Sequence, residues 1–215
     1  MTARIVPDDE AGRAAAVEVL RGGGIVALPT DTVYGIAVSL ATPGGVERLF
    51  HVKQRPPDRA VMLLLDDAGQ AARAGLITPA AAALAAACWP GGLTVVVPQR
   101  PDVRWPAVLT GGSATIGLRV PDHDAPRALA RGVGPLPTTS ANRSGVPEAS
   151  DAAGIVAQLG EAIDLVLDGG PAHGGPASTI VDCAGERPRI LRVGAVSADS
   201  VAEILAAAGI QLADA

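Results

Sequence analysis

The chain is 215 residues long and 48% hydrophobic, with a net charge of −5 and a mean hydropathy of +0.32. That is apolar material for a full core in one large domain or two small ones. The acidic balance argues against a general nucleic-acid binder, whose affinity would come from neutralising phosphates, and leaves only a local basic patch open.

In chain order, Asp8 or Asp9 can cap a helix running to about Arg21, stopped by Gly22-Gly23-Gly24. Ile25 to Leu28 reads as a buried strand. Thr42-Pro43 is an N-cap followed by proline at the first helical position, predicting a helix that reaches Lys53. Val61 to Leu65 is another strand. Thr78-Pro79 repeats the cap-and-proline signal for an alanine-rich helix ending near Trp89-Pro90. Strands follow at Leu93 to Val97 and Thr115 to Val120, then a helix at Asp124 to Arg131 and another at Ser150 to Leu159. Ile163 to Leu167, Ser178 to Val181 and Arg189 to Val193 supply later strands, and Ser197 to Ala208 a last helix. The apolar runs lack strict alternation, which suits strands covered on both faces in a layered α/β fold. No repeat, charge block or polar linker divides the chain, so one domain is expected. Tyr34, Phe50, Trp89 and Trp105 are the only aromatic residues, which leaves an aliphatic, alanine-rich core.

Cys88 and Cys183 lie far apart without metal-ligand spacing, and His51, His123 and His173 are scattered, so a dedicated metal site is not expected. The first ten residues lack a signal-peptide pattern, and the longest apolar run, Ala80 to Trp89, is too short to span a bilayer. A reduced, cytoplasmic, non-membrane protein is the expectation.

The candidate chemistry sits at element ends. Gly22-Gly23-Gly24 follows a helix and opens a strand, the reverse of phosphate-binding glycine loops, and reads as a C-cap and turn. Pro29-Thr30-Asp31-Thr32-Val33-Tyr34-Gly35 comes directly after a buried strand, where ligand sites of α/β sheets gather; a polar turn explains it equally well. Lys53 is the one lysine among 17 basic residues and lies two positions before Arg55. A compact ammonium beside a guanidinium suits phosphate chemistry, whereas a solvated pair at a helix C-terminus is the plainer explanation of those residues alone. Thr138-Thr139-Ser140-Ala141-Asn142-Arg143-Ser144-Gly145 offers hydroxyls and an amide that could hold phosphate oxygens, or an ordinary capping loop. Arg119 ends an apolar strand and must find an anionic partner, either a structural aspartate or a substrate carboxylate.

Taken in order, these segments, together with Lys53-Gln54-Arg55-Pro56, Trp89-Pro90-Gly91-Gly92-Leu93-Thr94, Arg119-Val120-Pro121, Ser178-Thr179-Ile180 and Arg192-Val193-Gly194, resemble the threonylcarbamoyl-AMP synthase family with its YrdC-like domain. The resemblance runs over residues 11–205 and implies a single YrdC-like domain over 1–215, the form without a C-terminal extension. The implied fold is a mixed, twisted sheet with helices on both faces.

The implied activity is that of a nucleotidyltransferase in tRNA processing. It condenses L-threonine, bicarbonate and ATP into threonylcarbamoyl-AMP and pyrophosphate, with Mg2+ accompanying the ATP phosphates. A separate tRNA threonylcarbamoyltransferase complex then makes threonylcarbamoyladenosine, and the resemblance leaves room for a weak direct tRNA contact. The family's Lys-x-Arg and Ser-x-Asn pairs fall on Lys53, Arg55, Ser140 and Asn142, which the resemblance makes catalytic. ATP contacts fall on Arg55, Arg59, Thr115, Ser140, Asn142, Glu148 and Arg192. Threonine contacts fall on Thr32, Arg119, Thr138 and Ser178. Leu64 is apolar where some members place a polar residue near the threonine pocket.

Two rival readings exist. A non-catalytic tRNA or ribosomal-RNA-binding module could use Lys53, Arg55, Arg59, Arg143 and Arg192 on one concave surface, although stacking aromatics are scarce. An enzyme consuming carbamoyl phosphate would be expected to carry extra domains and zinc-ligand cysteines, which are missing.

Overall fold

The computed structural model describes residues 3–54, 60–172 and 175–213. The first half holds β1 (Arg4–Pro7), α1 (Glu10–Arg21), β2 (Val26–Leu28), β3 (Gly35–Ala37), α2 (Gly45–Lys53), β4 (Met62–Leu64), α3 (Ala68–Ala74), α4 (Pro79–Cys88) and β5 (Leu93–Pro98). The second half holds α5 (Ala107–Thr110), β6 (Thr115–Arg119), α6 (Asp124–Val133), β7 (Leu136–Ser140), α7 (Ala152–Leu159), β8 (Leu165–Asp168), β9 (Thr179–Asp182), β10 (Arg189–Arg192) and α8 (Ala198–Ala207).

Helix starts follow side-chain capping. Asp9 accepts from the Gly12 amide at 2.8 Å, Thr78 from Ala81 at 3.3 Å with Pro79 next to it, and Asp151 from Gly154 at 2.8 Å. α2 departs from expectation. It starts at Gly45 rather than at Pro43, because Gly44 takes a left-handed backbone (φ 72°) and the Thr42 carbonyl accepts from Gly45 in a turn.

The ten strands among the described residues form one sheet, in the order β1-β8-β2-β3-β7-β4-β6-β5-β9-β10. Parallel pairs (β1–β8, β8–β2, β4–β6, β5–β9) mix with antiparallel ones (β2–β3, β3–β7, β7–β4, β6–β5, β9–β10). The sheet is therefore mixed, with helices on both faces. Strands β1, β3 and β7 and helices α3 and α5 have no counterpart in the sequence reading. β3 spans three residues, and β7 reads Leu-Pro-Thr-Thr-Ser, so neither carries the apolar run that marked the others.

The register decides which residues share a face, because side chains alternate along each strand. One face carries Ile25, Ala27, Ile36, Leu63, Val95, Leu118 and Val181. It is covered by α2, α4, α7 and α8 through Val46, Leu49, Leu84, Ile155, Val201 and Leu205. On the other face, α1 and α6 bury Val26, Leu28, Ala37, Leu64, Leu136, Leu165 and Leu167 under Ala16, Leu20, Ala125 and Leu129.

That second cover extends over only part of the sheet. Beyond it, Ser140, Thr138, Met62, Arg119, Gly117, Thr94 and Ile180 occupy the same face by pairing register (Met62 with Thr138, Leu64 with Arg119, Val96 with Gly117, Thr94 with Ile180). They form a polar shelf in the middle of the sheet.

Candidate active site

The loop from Pro29 to Tyr34 leaves β2 and forms one wall of the shelf. Thr30 Oγ1 donates to the Val33 carbonyl at 2.7 Å and accepts from the Thr32 amide at 3.1 Å, so the loop holds its own shape. Tyr34 anchors it from below. Its hydroxyl donates to the Gly170 carbonyl at 2.6 Å and accepts from the Gly169 amide at 3.0 Å, and burial pushes its pKa up. Gly35 then pairs with Ser140 so closely that a Cβ would stand 2.7 Å from Thr138 Cγ2. A side chain there would force the loop off β7.

Arg119 is 2% exposed and is held on three sides. Nε donates to the Gly91 carbonyl at 2.9 Å, Nη1 to Thr32 Oγ1 at 3.0 Å and Nη2 to Asp31 Oδ1 at 2.6 Å. The partner demanded by a buried guanidinium is therefore Asp31. Burial lowers the Arg119 pKa, Asp31 opposes that shift, and Arg192 adds a smaller push downward. An arginine stays charged through such shifts. Two of its five N–H groups remain beyond these three bonds, enough for a further carboxylate.

Thr94 and Ser178, both nearly inaccessible, join at 2.9 Å between their hydroxyls. Arg192 binds the Ser178 carbonyl through Nε (3.1 Å) and Nη2 (2.8 Å), and Nη2 also reaches Ser178 Oγ at 3.3 Å. The turn behind them is tight. A Cβ on Gly194 would lie 1.9 Å from the Ala177 carbonyl oxygen.

Lys53, at the end of α2, is 3% exposed. Its ammonium donates to the Ser140 carbonyl (2.6 Å), Ser140 Oγ (3.0 Å) and Asn142 Oδ1 (2.8 Å). Asn142 Oδ1 also accepts from Ser140 Oγ at 2.6 Å, and Asn142 Nδ2 donates to the Val146 carbonyl. The Ser144 amide closes back on the Lys53 carbonyl at 3.1 Å. Lysine and the Ser-x-Asn loop thus form one unit, although they are 87 and 89 residues apart in sequence.

One cleft is lined by Thr32, Arg119, Thr138, Ser140, Glu148, Ser178 and Arg192, all expected site residues, with Thr30, Met62, Leu64, Thr94 and Ile180 beside them. Lys53 and Asn142 join it through Ser140. Thr115 lies at the far end of β6, two positions beyond Gly117 on the shelf face, and its hydroxyl pairs with Ser113 Oγ at 2.7 Å. It does not line the cleft. Arg55 and Arg59 lie outside the described residues.

Sequence reading gave no role to Asp31, Thr94 or Met62. For Asp31 and Arg119 a signal existed, since two opposite charges in two candidate segments were each in need of a partner. Thr94 was visible as the lone hydroxyl in an otherwise apolar strand.

The model of the Sua5/YciO/YrdC family, described as telomere recombination, matches residues 18–194. This chain belongs to that family. A Mycobacterium leprae protein provisionally named a threonylcarbamoyl-AMP synthase is 41% identical over 201 residues, covering 93% of this chain and 90% of its own. A Bacillus subtilis threonylcarbamoyl-AMP synthase is 35% identical over 89% of this chain and 56% of its own. Among solved family structures, Pyrococcus abyssi Sua5 complexed with L-threonine superposes with a TM-score of 0.87 at 29% identity, over 99% of this chain and 62% of that one. The chain thus spans less than two thirds of the Bacillus and Pyrococcus proteins and nearly all of the mycobacterial one.

Proposed function

We propose that this chain is a threonylcarbamoyl-AMP synthase, a nucleotidyltransferase that joins L-threonine, bicarbonate and ATP. The observation that carries the reading is the convergence of Lys53, Ser140 and Asn142 with Arg119, Ser178 and Arg192 around one shelf. Relatives bearing that name at 41% and 35% identity support it, as does the threonine complex of the Pyrococcus homologue.

The chemistry balances without a covalent enzyme intermediate. The threonine nitrogen adds to the bicarbonate-derived carbon, giving a carbamate and releasing water. A carbamate oxygen then bonds to the α-phosphorus of ATP while the bond to the leaving pyrophosphate breaks. Charge accumulates on phosphate oxygens, so preorganised cations and donors dominate the rate. Arg119, fixed by Asp31 and Thr32, offers its remaining donors to the threonine carboxylate, with Thr138 and Ser178 beside it. Lys53 fixes the Ser140–Asn142 loop and sets a positive charge beneath the nucleotide; Arg192 and Glu148 border the same space. Thr115, on the same sheet face, is retained as an outlying nucleotide contact. Arg55 and Arg59 lie two and six positions after Lys53 in sequence and are proposed to meet the phosphates. Holding carbamate and α-phosphate in line supplies the remaining acceleration.

Magnesium fits this site only as a companion of the nucleotide. No group of three His, Cys, Asp or Glu side chains suited to a metal occurs among the described residues, and magnesium commonly relies on substrate phosphates plus one or two carboxylates. Glu148 is the carboxylate among the described residues that line the cleft. A bound magnesium would neutralise charge on the phosphates.

The product is a reactive mixed anhydride, which we propose passes to a tRNA threonylcarbamoyltransferase complex, with tRNA contact weak. No described helix is long and apolar enough to cross a membrane, and both cysteines are free, which supports the proposed cytoplasmic setting. The RNA-binding alternative is weaker, because Arg143 lines a separate groove between α2 and α7, with its Nε bonded to the Gln158 carbonyl.

The test is pyrophosphate release from ATP with magnesium, bicarbonate and each amino acid in turn. Release should require threonine and bicarbonate together. Serine performing as well as threonine would remove the proposed pocket, and no release with any amino acid would remove the function.

A further inference from the structure

The hydroxyls at the back of the cleft have few protons to share among their contacts. Thr94 Oγ1 lies 3.6 Å from Met62 Sδ and 2.9 Å from Ser178 Oγ. A thioether sulfur can only accept, so with the Thr94 proton turned to Met62 the contact between the hydroxyls is filled by the Ser178 proton, donated to Thr94 Oγ1. Ser178 Oγ also receives Arg192 Nη2 at 3.3 Å, so what it has left for a ligand is a lone pair. In that arrangement Ser178 faces the cleft as an acceptor.

A ligand ammonium is a poor match for that lone pair, because it would sit against the Arg192 guanidinium that already donates there. A neutral hydroxyl meets no such repulsion. Met62, Leu64 and Ile180 line the cleft around it and suit a methyl group on the same carbon. Resting on the synthase reading above, we propose that Thr94 is a positioning residue that locks Ser178 as the acceptor for the β-hydroxyl of bound threonine. Thr94 thereby separates threonine from isosteres that cannot donate, since a pocket built around a hydrogen bond leaves a buried polar atom unpaired when the wrong ligand binds.

The probe is an isostere of threonine carrying fluorine in place of the hydroxyl, which can accept weakly but cannot donate. Calorimetry gives its Kd and that of threonine for the wild type and for Thr94→Val, Thr94→Ser and Met62→Leu. In the wild type, fluorine meets a lone pair and binds poorly. In Thr94→Val the Ser178 proton is released toward the cleft, so the ratio of the fluoro-isostere Kd to the threonine Kd should fall roughly fivefold, about one neutral hydrogen bond. Thr94→Ser should restore the wild-type ratio. Met62→Leu, which conserves volume, should shift the ratio in the same direction as Thr94→Val by freeing the Thr94 proton, and it carries the test if the valine variant does not fold. A packing role alone would weaken both ligands equally. An unchanged ratio in Thr94→Val and Met62→Leu, or no rescue by Thr94→Ser, overturns the proposal. Pyrophosphate release is scored in parallel: threonine binding with the expected ratios but no release would overturn the synthase reading and leave the hydroxyl relay standing.

Discussion

Lys53 shows how one residue's geometry settles what its chemistry left open. A solvated cation at a helix end would be exposed. Instead, three oxygens surround its ammonium within 3.0 Å. Replacing it with alanine should lower pyrophosphate release ~10²-fold or more, a loss typical of removing a preorganised charge stabiliser. Lys53→Arg should fail to restore activity, because a flat guanidinium cannot point three donors into so compact a nest. Near-normal steady-state turnover in either variant would remove Lys53 from the machinery. Asp31 makes the complementary case. Asp31→Asn strips the charge partner from a buried arginine, so the unfolding free energy from urea titration should drop by about 3 kcal/mol, the low end for a broken buried pair because Asp31 keeps some solvent contact. The KM for threonine should rise in the same variant. Of the cleft residues, those with unusual needs were legible in sequence: a lone lysine, an arginine in an apolar strand, hydroxyls bunched at a strand end. Thr94 carried no such need on its own, and its meaning appears only when Ser178 and Met62 stand beside it.

Elements were legible in proportion to how much of their burial is local. α1, α4 and α7 announce themselves by caps and apolar spacing. β3 and β7 do not, because Gly35, Ile36 and Ala37 gain their strand character from pairing with Ser140, Thr139 and Thr138, and Thr138 pairs with Met62 on its other side. Caps also carry a pH dependence. α6 is capped by His123, whose Nδ1 accepts from the Ala125 amide at 3.2 Å, so the imidazole must be neutral to do this work. Burial lowers the His123 pKa, with Asp8 and Asp31 opposing and Arg13 reinforcing the shift. A histidine whose folded pKa lies below its unfolded value near 6.5 binds its proton more readily when unfolded. Stability contributed by this cap should therefore be full above about pH 6.5 and decline as the pH falls toward the lower folded value. Melting temperatures measured between pH 7 and pH 5 should fall less steeply in His123→Asn, which caps without titrating in that range. An equally steep fall in both proteins would assign the acid sensitivity elsewhere.

At the scale of the whole molecule, the sheet separates stability from activity by face. Residues one position apart point into different worlds: Leu118 into the aliphatic core, Gly117 and Arg119 onto the shelf. The period of two in a strand should therefore appear in the phenotypes of neighbouring substitutions. Leu118→Ala empties a site with no solvent exposure and should cost about 2–5 kcal/mol in denaturant titrations while leaving turnover per folded molecule unchanged. Gly117→Ala should do the reverse. Its new Cβ would meet Met62 and Thr94 at 3.5 Å, an ordinary contact, so the fold should hold or gain by about 0.4–1 kcal/mol from reduced unfolded-state freedom. The added methyl lies on the shelf floor between the residues that shape the threonine pocket, so catalysis and threonine affinity should fall together. If Gly117→Ala unfolds the protein while remaining fully active when folded, or if Leu118→Ala abolishes turnover at unchanged stability, then the half-covered sheet face is not where this protein does its chemistry.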